Sequence, residues 1–99
     1  MKFAARYSEE AVEDLDRLYD YLLVRDIELA ERAYQAIVKA TEFLETFPFS
    51  CRKATSDNSF LRELVTPFGS AGCVALFEIE DSDTVTILAI RPQHEDDYH

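Results

Sequence analysis

The sequence predicts an α+β fold with the element order β-α-α-β-β-β, in which an antiparallel sheet packs against a helical hairpin. Residues 60–91 contain three short runs rich in β-branched and aromatic residues, which are typical of strands. Two longer segments before them repeat apolar residues at spacings of three and four, the period of an amphipathic helix. Because such a pair of helices leaves apolar faces uncovered, we expect the sheet to cover them.

Three strands form the predicted meander, at residues 60–66, 72–80 and 84–91. The first, FLRELVT, alternates between two sets of side chains with the period of a pleated strand. Residues 81–83, Asp-Ser-Asp, make a short polar loop of the kind that closes a hairpin. The earlier connection contains Pro67 and two glycines, which favour a turn.

The segment before the meander predicts one strand and two helices. Residues 2–7, KFAARY, predict a strand that pairs with the later sheet. Ser8 is a suitable N-cap, and the acidic residues after it suit the positive end of a helix dipole. We expect a first helix at 9–24 and a second that begins after the cap residue Asp26 and ends at Pro48. The break is so short that the helices must fold back on each other.

Residues 49–59 join the second helix to the meander. Their composition, FSCRKATSDNS, is polar and rich in Ser, Asn and Asp, so we expect an irregular connection of the kind that often carries function. The neighbouring aromatic residues Phe43, Phe47 and Phe49 are interpreted as core rather than as a binding patch, because they lie where a helix end packs against a sheet.

Composition and charge narrow the function classes. A chain of 99 residues with 47% hydrophobic residues predicts a single folded domain over residues 1–99. Its net charge of −10 opposes non-specific binding to nucleic acid. The acids concentrate in residues 8–31, whereas residues 46–77 hold three basic residues against two acids, which leaves room for a small basic face on the sheet side. Without a long apolar run or a signal peptide, we expect a cytoplasmic protein that does not bind membranes.

The two cysteines have no metal-ligand spacing and no paired motif. Cys73 alternates with apolar residues and is predicted to be a small core residue, while Cys51 lies in the predicted connection, where it could be exposed. Glycine-rich phosphate loops are absent from the sequence, and two separated histidines cannot build a nucleophile–base pair with these thiols. We therefore predict no cofactor and no metal site.

Four residues are the candidates for chemistry. Arg62 and Arg91 lie in different strands of the predicted sheet, and two arginines that converge can bind phosphate or carboxylate bidentately. The alternative is that each arginine pairs with a local acid or faces water. His94 near Tyr98 could carry protons near neutral pH, although an exposed tail histidine is the alternative.

The whole chain resembles the RelE/ParE superfamily of bacterial type II toxins, and more closely its ParE-like branch, which includes toxins of plasmid stabilisation systems. The resemblance lies in the ordered combination of three stretches. These are AERAYQAIVKATEFLETFP on the second predicted helix, LRELV on the first strand of the meander, and the ending TVTILAIRPQHEDDYH.

The resemblance implies a toxin that a cognate antitoxin, encoded by an adjacent gene, neutralises. ParE-like members poison DNA gyrase, which makes gyrase the first expected target and implies no direct sequence-specific DNA binding. A RelE-like, ribosome-dependent endoribonuclease that acts on mRNA is the second hypothesis. A non-toxic relative that only binds its antitoxin is the third.

The resemblance also implies site residues. Arg62 in LREL and Arg91 after the last strand match arginines of the family, whereas Pro92 stands where a histidine is usual and His94 where an arginine is usual. These two departures remove positive charge from the expected working edge. If the chain is a nuclease, its catalytic residues are expected among Arg62, Arg91, His94 and Tyr98. The expected target-binding residues are Arg62, Arg91, His94, Tyr98, Arg52 and Lys53.

Overall fold

The computed structural model describes residues 2–69, 71–81 and 83–93, and in them a hairpin of two helices packs on one face of a five-stranded sheet. The strand order is β1-β5-β4-β3-β2. The elements are β1 (Ala4–Tyr7), α1 (Glu9–Arg25), α2 (Ile27–Thr46), a 3-10 turn (Pro48–Ser50), β2 (Arg52–Thr55), β3 (Asn58–Phe68), β4 (Ala71–Ile79) and β5 (Thr84–Pro92). Neither helix of the described part is long and apolar enough to span a membrane.

The predicted fold class, a helical hairpin on a sheet, is confirmed, and two details differ. The sheet is mixed, because β1 pairs in parallel with β5, with Ala4 opposite Thr84. A parallel pair needs a long connection, and here the rest of the chain supplies it. The predicted irregular connection at 49–59 instead contains the 3-10 turn and β2. A four-residue edge strand whose only apolar residue is Ala54 has no apolar alternation that a sequence pattern could reveal.

A one-residue junction joins the two helices. The N–H of Asp26 donates to the carbonyl of Leu22 at 2.7 Å and closes α1. The Asp26 carboxylate accepts from the N–H of Leu29 at 3.1 Å and caps α2. At the start of α1, Ser8 Oγ accepts from the N–H of Ala11 at 3.1 Å. Both predicted caps are therefore present, and each satisfies an N–H that lacks a partner within its helix.

The core lies between the hairpin and the sheet. Its largest side chains, each less than 2% exposed, are Phe77, Leu18, Leu44, Ile87, Val85, Pro48 and Cys73. Burial raises the pKa of the Cys73 thiol to about 12 and confirms its predicted core role. Cys51 is also buried, contrary to the exposed position considered from the sequence, because the 3-10 turn directs it inward. Burial raises the pKa of Cys51 too, against the opposing effect of the Arg62 charge.

A β-bulge interrupts the pairing of β4 with β5. Leu76 pairs with Ala89, but Phe77 pairs with Ile87, so Leu88 is an extra residue in β5. Ser8 at the start of α1 compensates for part of the disruption, since its hydroxyl donates to the carbonyl of Leu88 at 3.0 Å. The bulge shifts every later side chain of β5 to the opposite face of the sheet, with consequences for Arg91.

Candidate protein-binding surfaces

Arg62 is a structural clamp. It lies opposite the fully buried Phe77, so its side chain starts on the helix-covered face of the sheet. Its Nε donates to the carbonyl of Ser59 at 2.7 Å, and its Nη1 donates to the carbonyls of Phe49 at 3.0 Å and Cys51 at 2.7 Å. The guanidinium carbon also lies 5.5 Å from the centre of the Phe49 ring. Arg62 thus ties the turn after α2 to β3.

Arg91 lies on the other face of the sheet. It is exposed and pairs with Val74, which is three residues from Phe77 on β4 and therefore faces the opposite way. The bulge at Leu88 is the cause, because without that extra residue Arg91 would face the same side as Arg62. The hypothesis that the two arginines converge is therefore wrong for this geometry, and a bulge of this kind leaves no signal in the strand pattern.

The other predicted site residues do not form one cluster with Arg62 and Arg91 in the described part of the chain. Arg52 lies in the edge strand β2 and forms an ion pair with Glu63 of β3, with 2.7 Å between Nε and Oε1. Lys53 is exposed and lies opposite Arg62. His94 and Tyr98 lie outside the described residues, so their predicted roles as catalytic or target-binding residues stay predictions.

An open groove of about 560 Å³ lies between α1 and α2. The rings of Tyr19 and Tyr34 meet across it, with 6.4 Å between their centres. The hydroxyls of Tyr7 and Thr41 form a hydrogen bond and also line the groove. The rest of the lining is apolar apart from two acidic residues, Asp16 and Glu42.

The groove belongs to an outward-facing apolar stripe, which helical spacing alone does not separate from the core stripe. The apolar repeats of the two predicted helices, which were expected to face the sheet, include Val12 and Tyr19 on α1 and Ile27 and Tyr34 on α2, yet all four are exposed. On each helix further apolar residues follow at helical spacing, among them Val38, which is 42% exposed. The apolar faces of both helices are too wide for the sheet to cover, and this excess width was the signal in the sequence.

A second exposed apolar surface lies around the 3-10 turn that follows α2. The ring of Phe49 packs edge-on against Phe3, at 6.4 Å between ring centres, and against Phe60 at 6.1 Å. We call these three residues the aromatic row. Phe49 is 49% exposed and Phe60 is 52% exposed. Arg62 flanks the row through its contact with the Phe49 ring.

The phenylalanines around Pro48 were predicted to be core, and that interpretation is wrong. Pro48 itself is buried, whereas its neighbours Phe47 and Phe49 are about half exposed, and Phe43 is 41% exposed. Proline begins the 3-10 turn and occupies the core position, so the residues on either side of it point outward. Phe43 and Phe47 contact each other, with ring centres 5.7 Å apart.

Comparison with known proteins gives one family match and one similar fold. The profile of the family described as "ParE toxin of type II toxin-antitoxin system, parDE" matches residues 5–97. Among solved structures, the chromosomal ParDE toxin–antitoxin system from P. aeruginosa has a similar fold, with a TM-score of 0.69 and 23% identity over 94% of this chain and 98% of that chain. Curated protein sequences give no significant match. The chain belongs to the ParE toxin family of type II toxin–antitoxin systems.

Proposed function

We propose that the protein is a toxin that inhibits bacterial growth by binding DNA gyrase, and that an antitoxin encoded by an adjacent gene neutralises it. The observation that carries this proposal is the family match over residues 5–97. Gyrase is the target that the resemblance to ParE-like toxins implies. With such a target, the protein would act in the cytoplasm, by binding and without a cofactor.

The arrangement of the arginines favours a protein target over cleavage of mRNA. A nuclease needs cations that converge on one phosphate and stabilise its developing charge. Arg62 instead donates to three backbone carbonyls, and Arg91 projects from the opposite face. A net charge of −10 further opposes approach to the dense phosphates of a ribosome.

The groove between α1 and α2 is the proposed antitoxin-binding surface. An amphipathic helix can insert apolar side chains at spacings of three and four into such a groove. The two charged residues of the lining, Asp16 and Glu42, are both acidic. We therefore expect the antitoxin segment to carry Lys or Arg beside its apolar stripe, because opposite charges across an interface favour association.

Pulse labelling tests the target. We would induce the toxin in a bacterial host without its neighbour and follow incorporation of labelled thymidine and labelled methionine. The proposal predicts that DNA synthesis falls first, and that co-expression of the neighbouring reading frame restores both growth and labelling. An earlier fall in methionine incorporation would instead support the nuclease. Normal growth at verified expression would support the non-toxic relative.

A further inference from the structure

We propose that the aromatic row, together with Arg62 and Lys53, is the surface that contacts the toxin's protein target. The matching target surface would present a carboxylate beside an apolar side chain. This inference rests on the proposed function, in which the target is gyrase, and it assigns that contact to a surface separate from the groove between the helices.

The residues of the aromatic row are of the types found at the centre of protein–protein interfaces. Phe49 and Phe60 are each about half exposed, and together they leave roughly 200 Å² of ring surface uncovered, given the 150–250 Å² of a large aromatic side chain. Exposed phenylalanines with an arginine beside them match the residue types enriched at protein interfaces. Another exposed ring, Phe47, lies two residues along the chain.

The row is also held in place before any partner binds. Arg62 fixes the backbone of the 3-10 turn and of the residue after it through the carbonyls of Phe49 and Cys51. At the other end of the row, the N–H of Phe3 donates to the carbonyl of Glu45 at 2.6 Å. A partner that docks on this surface therefore orders few side chains, and the entropic cost of association is small.

Charge distinguishes the partner of this surface from the partner of the groove. Lys53 lies opposite Arg62 on the neighbouring strand, is exposed, and forms no ion pair within the described part of the chain. The aromatic row thus adjoins positive charge in a protein whose net charge is −10. Among the described residues, the groove lining holds only acidic charges and shares no residue with the row. One surface suits an acidic partner and the other a basic partner, which is consistent with different occupants.

The test compares two double variants of the full chain. The first, Lys53→Glu with Phe60→Thr, removes one exposed ring and reverses the exposed charge while keeping a strand-forming residue. The control, Lys39→Glu on α2 with Val24→Thr on α1, makes the same kinds of change at exposed positions, outside the row, the groove lining and the outward-facing stripe. Each purified protein is titrated into a supercoiling assay with purified bacterial DNA gyrase, induced alone for growth inhibition, and co-purified with the product of the adjacent reading frame.

We expect the first variant to need about tenfold more protein for half-inhibition of gyrase, to lose growth inhibition, and to keep its melting temperature and its co-purifying neighbour. The control should behave as wild type.

Equal inhibition of gyrase by the first variant and wild type would overturn the inference, as would loss of the co-purifying neighbour from the first variant. If wild type arrests growth without inhibiting gyrase and the first variant does not arrest growth, gyrase is not the target. The assignment of the aromatic row as the target-binding surface is then still supported. If wild type does neither, both proposals fail. Lys53→Glu alone, at an exposed position, repeats the test should the double variant not fold.

Discussion

The carboxylate of Asp14 on α1 accepts a hydrogen bond from the backbone N–H of Ile90 on β5, with 2.9 Å between Oδ2 and N. Ile90 lies just after the bulge and is buried, so without Asp14 its N–H would lack a partner. The other carboxylate oxygen of Asp14 accepts from Arg17 at 3.0 Å. A side chain of the first helix thereby completes the backbone hydrogen bonding of the sheet at its irregular point.

Replacement of Asp14 by alanine should therefore destabilise the fold. We expect Asp14→Ala to lower the free energy of unfolding by about 1–3 kcal/mol, since it leaves a buried N–H unpaired. Asp14→Asn keeps an acceptor oxygen and should cost less. Urea denaturation followed by circular dichroism measures both values. Glu13→Ala, at the neighbouring exposed position, is the control and should change stability by under about 0.5 kcal/mol. Equal stability of the Asp14→Ala and Glu13→Ala variants would contradict this role.

Arg62 and Arg91 should behave differently although both were predicted to serve one site. Because Arg62 donates to three carbonyls and contacts the Phe49 ring, Arg62→Ala should lower the free energy of unfolding by about 2 kcal/mol. Arg62→Lys should not restore it, since an ammonium group lacks the planar fork of donors. Arg91 is exposed, and Arg91→Ala should change stability by under about 0.5 kcal/mol. Urea denaturation measures the unfolding midpoint of each of the three variants. Equal midpoints for all three would contradict the stabilising role of Arg62.

The sequence pattern predicts regular features well and the placement of Arg91 poorly. Ser8 and Asp26 were predictable as caps, because their side chains act on backbone groups three residues away. The face occupied by Arg91 depends on whether β5 contains an extra residue, and one residue reverses it. Residues 87–90 of β5 are all apolar, so the pattern could not show where in this run the extra residue lies or that one is present.

The two apolar surfaces were missed for a related reason. Tyr19 and Tyr34 have the spacing of core residues on their own helices, and only the packing of the hairpin decides which side of a wide apolar stripe meets the sheet. Phe47 and Phe49 were assigned to the core by their position at a helix end. The turn at Pro48 reverses that assignment, and turn direction depends on backbone angles that residue types alone do not determine.

The acidic groove predicts a salt-dependent affinity for the antitoxin. If Lys or Arg side chains of the antitoxin approach Asp16 and Glu42, the affinity should fall as sodium chloride rises from about 0.05 to 0.5 M, because the Debye length shortens. A variant with Asp16→Asn and Glu42→Gln should bind more weakly at low salt and depend less on salt. Isothermal titration with the co-expressed neighbour's product measures this.

A charge-matched control keeps the salt prediction specific. Asp20→Asn with Glu28→Gln neutralises two exposed acids on the same helices without changing the groove lining. We expect this control to retain most of the wild-type salt dependence, because screened charges outside the interface contribute little. Identical salt dependence in both double variants would show that overall net charge, rather than the groove, sets the affinity.

The buried thiol of Cys73 predicts that stability falls at alkaline pH. In the unfolded chain this thiol ionises near its ordinary pKa of 9.0, whereas burial raises the folded pKa to about 12. A raised folded pKa contributes stability that is fully present below pH 9 and is lost as the pH rises toward 12. Between these values, ionisation of this group should lower the free energy of unfolding by up to about 1.4 kcal/mol per pH unit.

Urea denaturation at pH 8, 9 and 10 should show a smaller decline in the free energy of unfolding for Cys73→Ala than for wild type. The variant is less stable at every pH because the substitution leaves a cavity. Parallel pH profiles for the two proteins would show that ionisation of other groups accounts for the alkaline loss.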